Sequence, residues 1–282
     1  MGQARLKRER RAESAALREA FLSRAAEGKT RGCLFCRRTD GGFTTVEHPL
    51  PESLGNSEVT LPNGVVCDVC NNGILSDLDQ ALTEFFPLKM RRTMLGVRSK
   101  AGKVPITRFS TGNLRSTGEA SMFFEIYGAK DEKTFTTKRL GGDRVAGNFE
   151  VSGGKRMTPL YASTLSRALL KACLGSAWLD HGEKMLESRY DHVREAVLGT
   201  PRDGYLMIPR KADPHHVGLQ LKYWIFKTEE EKEFLGLVAQ FYGITLATDS
   251  LQPRFPVDVP EEDALMVEFN ASDLPRVRQR QK

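Results

Sequence analysis

The sequence has no run of about 18 apolar residues, so nothing in it is long enough to cross a bilayer as a helix. Its first residues are basic but carry no apolar segment behind the charges, which argues against a secretory leader. It has no internal repeat and no low-complexity block. Glycine pairs occur at Gly141-Gly142 and Gly153-Gly154. Neither sits in a Walker or dinucleotide-binding pattern, so both read as turns and no nucleotide cofactor is expected. The absences describe a cytoplasmic chain in a reducing environment with no membrane partner. Its 282 residues leave room for two domains or one large one.

Cysteine is scarce, five in all, and four of the five fall into two Cys-x-x-Cys pairs, Cys33/Cys36 and Cys67/Cys70. In a reducing compartment that arrangement favours metal over disulfide. Four thiolates with thirty residues between the pairs match a tetrahedral structural zinc site. A unit of some 60 residues buries little core of its own, and structural zinc adds on the order of 10 kcal/mol of folding free energy. Four cysteines leave no open coordination position, so this metal is expected not to be a catalyst. Cys173 lies in an apolar helical run and reads as a buried small hydrophobe.

Net charge is +6 and the isoelectric point about 9.1, a balance that suits a polyanionic partner. The charge is unevenly placed. Residues 88–103 hold Lys89, Arg91, Arg92, Arg98, Lys100 and Lys103 and no acid, whereas 228–233 and 258–268 are acidic. Arg91, Arg92, Arg98, Lys100 and Lys103 are therefore candidate contacts to a phosphate backbone, with a solvated basic loop as the plainer alternative.

Taken in order, residues 4–27 read as a basic helix ended by Gly28 and Gly32. Strands are expected at 43–48 and at Val65-Val66, with a loop over 52–63. The apolar stripe Ile74, Leu75, Leu78, Leu82, Phe85 and Phe86 predicts a helix over 74–86 ended by Pro87. Further strands are expected at 106–109, 121–126, 134–137 and 148–151. Thr158-Pro159 opens a helix to about residue 180 whose apolar positions Leu165, Leu169, Leu170, Leu174 and Trp178 place it in the core. A second helix follows over 183–198, then strand-like runs at 205–208, 217–226 and 234–247. The tail from residue 253 is rich in proline and charge and is expected to be partly disordered. His181, His192 and His215-His216 read as surface or helix-end residues, and Trp178 as core.

Glu47-His48 and Asn71 stand against the cysteine pairs in sequence. A free imidazole titrates near 6.5, so His48 suits a general base at neutral pH. Glu47 and Asn71 offer oxygens of the kind that Mg²⁺ or Mn²⁺ takes. Together they suit metal-assisted hydrolysis of a phosphodiester.

The stretch 31–87, with its Cys-x-x-Cys, Glu47-His48-Pro49, second Cys-x-x-Cys and Asn71, resembles the zinc-containing HNH endonucleases. The resemblance implies a ββα-metal fold with His48 as the water-activating base. It implies Glu47 and Asn71 as ligands of one catalytic Mg²⁺ or Mn²⁺, with Asn72 a rival to Asn71. It implies a loop asparagine that braces the base histidine, for which both Asn56 and Asn63 are candidates. The fold expected is α+β: a basic helix over 1–30, an HNH unit with four-cysteine zinc knuckles over 31–95, a larger mixed α+β region over 96–250 and a charged tail over 251–282. That larger region is open to DNA recognition, dimerisation or sensing. The expected activity is hydrolysis of DNA, most simply double-stranded, in restriction, antiviral defence or a mobile element. A homodimer would allow both strands to be cut. The competing class is a zinc module that binds nucleic acid without cutting it.

Overall fold

The computed structural model describes residues 16, 32–40, 42–56, 58–99, 101–109, 112–116, 122–126, 136–140, 159–199, 218–227 and 232–250. Apart from the helical Ala16, the basic N-terminal helix lies outside these residues, as do the strands expected at 148–151 and 205–208 and the tail.

The first cysteine pair closes a tight knuckle in which Cys33 N donates to Arg38 O and Arg37 N to Cys33 O, each at 2.8 Å. Arg37 sits in the left-handed region, at φ 56°, to make that turn. A single backbone bond from Leu34 N to Val65 O, 2.8 Å, ties it to the second knuckle. No strand forms over 43–48 or at Val65-Val66, contrary to expectation. The donors a ladder would need are already taken. Asp68 accepts from Thr44 N at 2.8 Å and from Thr45 N at 2.9 Å, and from both threonine hydroxyls. One backbone bond, Leu61 N to Glu47 O at 2.8 Å, joins the two sides of the loop.

The helix after the second cysteine pair also departs from the expected single rod. A one-turn helix Asp68–Cys70 and a π-helical turn Asn71–Leu75, kinked at Gly73 (φ −100°, ψ −111°), run into α1 (Ser76–Thr83). Pro87 does not end this helix but stands in the first turn of the next, α2 (Phe86–Leu95), where its missing N–H costs nothing. Gly96, at φ 66°, closes α2 in the left-handed conformation. The expected basic loop is thus half helix, and Arg91 and Arg92 lie inside.

Four strands, β1 (Thr107–Phe109), β2 (Gly112–Ser116), β3 (Met122–Ile126) and β4 (Thr136–Leu140), form an antiparallel meander in chain order. β2 was not foreseen. α3 (Pro159–His181) falls where the Thr158-Pro159 signal puts it. The helix expected over 183–198 is broken instead. Two 3₁₀ turns, Gly182–Leu186 and Ser188–Tyr190, precede α4 (Asp191–Leu198), because Gly182 is left-handed and Glu187 extended. A second antiparallel sheet follows, β5 (Leu219–Lys227), β6 (Glu233–Phe241) and β7 (Ile244–Asp249). β6 and β7 replace one long expected strand. Tyr242 and Gly243, both at positive φ, make the two-residue turn between paired Phe241 and Ile244.

α3 is the axis of the molecule. Leu165, Leu169, Leu170, Cys173, Leu174 and Ala177 are all fully buried, as befits a helix apolar around most of its girth. It packs on α1, α4 and the second sheet. One apolar cluster runs without a break from Cys33 through α3 to Leu246. The mixed α+β class holds. No helix among the described residues is long and apolar enough to cross a membrane.

Candidate active site and metal centre

Cys33, Cys36, Cys67 and Cys70 are buried, unpaired by disulfide, and converge so that their sulfurs lie within 4.8 Å of one another. Zn–S bonds of about 2.3 Å in a tetrahedron put neighbouring sulfurs about 3.8 Å apart, and Cys36 Sγ lies 3.6 Å from Cys67 Sγ. Cys67 N points at Cys33 Sγ from 3.4 Å. Burial pushes the Cys33 thiol up, whereas a hydrogen bond from Cys33 pulls Cys67 down. Four thiols so placed share protons poorly, and a bound dication removes the conflict by holding all as thiolates. The group could hold a zinc ion.

Beside this centre the chain folds Glu47 inward, only 4% exposed. Its partner is Lys171 of α3, a residue the sequence did not single out. Lys171 is buried, and its ammonium pairs with Glu47 Oε1 and reaches Asp79 Oδ1 of α1 at 2.7 Å and the His48 carbonyl at 2.9 Å. Two of its N–H donors are thus hydrogen-bonded, and Glu47 Oε1 is held by the ion pair alone. Burial alone would depress the lysine, but Asp79 and Glu47 more than offset it and hold it above its ordinary value. Burial lifts Glu47 to about 7, with Lys171 pulling the other way. Asp79 is lifted for the same reason.

A carboxyl raised by folding takes up a proton that the unfolded chain has already lost. Its contribution therefore favours the fold below 4.5 and is lost as pH rises to about 7. The zinc-loaded wild type, without added magnesium, is expected to lose on the order of 2 kcal/mol against Glu47→Gln over that window. Parallel denaturation curves at the two ends would show the effect absent.

His48 Nε2 lies 4.0 Å from Glu52 Oε2, and the buried Nδ1 makes no hydrogen bond among the described residues. Asn71 donates from Nδ2 to Val46 O at 3.0 Å, so its amide oxygen is the end turned away from that bond. Asn72 is exposed. The two candidate loop asparagines part company. Asn56 is buried and stitches the loop, its Nδ2 donating to Leu50 O at 2.8 Å and Val59 O at 3.0 Å, while its Oδ1 accepts from Val59 N at 3.1 Å. Asn63 is exposed in a turn. Asn56→Ala should cost about 1–3 kcal/mol for the orphaned carbonyls and amide, and Asn63→Ala almost nothing. Equal melting points for the two variants would contradict this assignment.

The candidate phosphate contacts divide as well. Arg91 and Arg92 are 1% and 3% exposed, and Arg91 Nε is spent on Tyr242 O at 2.8 Å. They cannot grip a backbone from inside the fold, which corrects the expectation for these two. Arg98 and Lys103 are exposed, and Lys100 lies outside the described residues. Cys173 is buried and points its thiol at Gly236 O from 3.4 Å. His181 is exposed at the end of α3, and His192 is held by Arg189 O and Ser250 Oγ. His215 and His216 lie outside the described residues. No family model matches the chain, and neither a curated protein nor a solved structure matches it significantly.

Proposed function

We propose that the chain is an HNH-type endonuclease that hydrolyses phosphodiester bonds of DNA, with structural zinc on Cys33, Cys36, Cys67 and Cys70. The observation that carries the reading is His48, whose Nδ1 is buried without a partner while its backbone and its neighbour Glu47 are held firmly. Buried polar atoms normally find partners, and an orphan calls for one, which a reacting water would supply here. Nδ1 takes the proton of a water, the water oxygen bonds to phosphorus, and the bond from phosphorus to the leaving sugar oxygen breaks. Glu52, beyond Nε2, stabilises the imidazolium that results. Asn56 keeps the loop that bears His48 in one shape.

Glu47 and Asn71 fit a hard divalent cation such as Mg²⁺ or Mn²⁺. Both offer oxygens, and Asn71 spends its nitrogen on Val46. Two carboxylates against one ammonium leave the cluster with a net negative charge. The ion, when bound, polarises the phosphate and stabilises the leaving oxygen. Arg98 and Lys103 remain as surface cations for the DNA backbone, and their neutralisation should flatten the salt dependence of binding.

The second reading is a zinc module that binds nucleic acid without cutting it. The Lys171–Glu47 ion pair favours it, because a buried pair can be purely structural. Nicking of supercoiled plasmid in Mg²⁺ or Mn²⁺ separates the two. Wild type and His48→Ala should each first be shown to hold about one zinc per chain. The nuclease reading expects His48→Ala to cut roughly 10²–10⁴-fold more slowly. Binding by both proteins with cleavage of plasmid, RNA or single strands by neither would leave the zinc module.

A further inference from the structure

Lys171 stands far from the cysteine unit in sequence, 123 residues beyond His48, yet it is bonded to it. Around it α3 presses close. A Cβ on Gly175 would sit 3.3 Å from Pro49 Cβ, the residue after His48. Lys171 and Gly175 are four apart and so lie on one face of the helix. The lysine head therefore arrives at the His48 carbonyl while the next turn of the same helix backs the following proline. The far side of the loop is held too, by Tyr242, whose hydroxyl donates to Leu54 O. Lys171 bonds to the histidine's backbone carbonyl, whereas Asp79 acts on the imidazole through its charge.

We propose that Lys171 is a positioning residue for His48. It fixes the backbone at the histidine by its bond to the carbonyl oxygen, and it fixes one oxygen of Glu47 in the same stroke. Asp79 holds the same ammonium from α1, so the lysine head is anchored by a helix as well as by the loop. The residues after 158 thus do more than recognise, dimerise or sense: α3 completes the site. The inference rests on the nuclease reading for its consequence in rate but not for its consequence in geometry.

Lys171→Met alone would leave the buried Glu47 facing the half-buried Asp79 and could prevent folding. Lys171→Met combined with Asp79→Asn removes one positive and one negative charge together and keeps the net charge of the cluster. That double variant should hold zinc as the wild type does. Its kcat should fall roughly 10²-fold, the scale of a misplacement near 1 Å, with KM changed by less than about twofold. The imidazole signal of His48, in protein labelled at histidine and assigned by its loss in His48→Ala, should be single in the wild type and in Asp79→Asn, and in the double variant split or shifted beyond what Asp79→Asn alone produces. Wild-type kcat in the folded double variant overturns the proposal. So does a fall in kcat with the His48 signal unmoved, since the loss then arises elsewhere. Should the wild type cut no nucleic acid, the nuclease reading falls by itself and the His48 signal alone decides: a shift keeps Lys171 as its anchor, and an unmoved signal removes it.

Discussion

Cys67→Ser is expected to unfold the chain as a whole, well beyond the knuckles that could hold a zinc ion. Structural zinc contributes about 10 kcal/mol or more, as much as the entire stability of an ordinary domain at about 5–15 kcal/mol. The four cysteines belong to the same apolar cluster as Leu169 and Leu174 of α3 and Leu237 of β6, so among the described residues the knuckles share one core with the helix and the sheet. Trp224 of β5 gives a reporter in the second sheet. Its indole lies so close over Gly236 that a Cβ there would meet Cε2 at 2.3 Å. Fluorescence of Trp224, read in a Trp178→Phe background, and ellipticity from the helices should be lost together in Cys67→Ser, and in the parent protein stripped of zinc. A native-like tryptophan signal in a zinc-free chain would show the sheet standing without the metal.

Arg194→Met should come next in size. Arg194 is wholly buried, and its guanidinium donates to Leu34 O at 2.7 Å, to Asp191 Oδ1 at 2.9 Å, and to the carbonyls of Glu187 and Met185. Burial lowers it to about 10, which still leaves it charged at neutral pH. Asp191 also receives Arg37, whose Nε lies 3.0 Å from Oδ1, so one carboxylate clamps two cations across the first knuckle. Removing one member of such a network costs about 3–5 kcal/mol, which for a chain of this size lowers Tm by roughly 10 °C. Arg194→Lys should recover little, because one ammonium cannot reproduce a fork of donors. A melting point within a degree or two of wild type in Arg194→Met would mean that the carbonyls find water instead.

How far the sequence disclosed this follows from where each signal is local. The cysteine spacing, the Thr158-Pro159 start and the apolar girth of α3 depend on neighbours a few positions away, and the structure follows them. The strand at 43–48 failed because a side chain from another segment, Asp68, took the amide hydrogens that a ladder would have used. Arg91 and Arg92 misled for the converse reason. A run of like charges looks solvated until one knows that Tyr242, 151 residues later, offers Arg91 a carbonyl. Lys171 could have been found. It is a lone cation in the apolar stretch Leu169-Leu170-Lys171-Ala172-Cys173, where a charge is tolerated only with partners. What no pattern in one chain discloses is which partners, since Glu47 and Asp79 lie 124 and 92 residues away.

The bonds that secure the site span 123 residues from His48 to Lys171, 160 from Leu34 to Arg194 and 188 from Leu54 to Tyr242. A ribosome makes the cysteines and His48 early and these three supports late. During synthesis the N-terminal unit therefore waits, with its metal ligands complete and its histidine unanchored, until the helix and the hairpin that brace it have emerged. Closing loops of that length also makes the last steps of folding slow. If the proposed nuclease reading holds, the order in which the chain leaves the ribosome delays the moment at which His48 is set for cleavage.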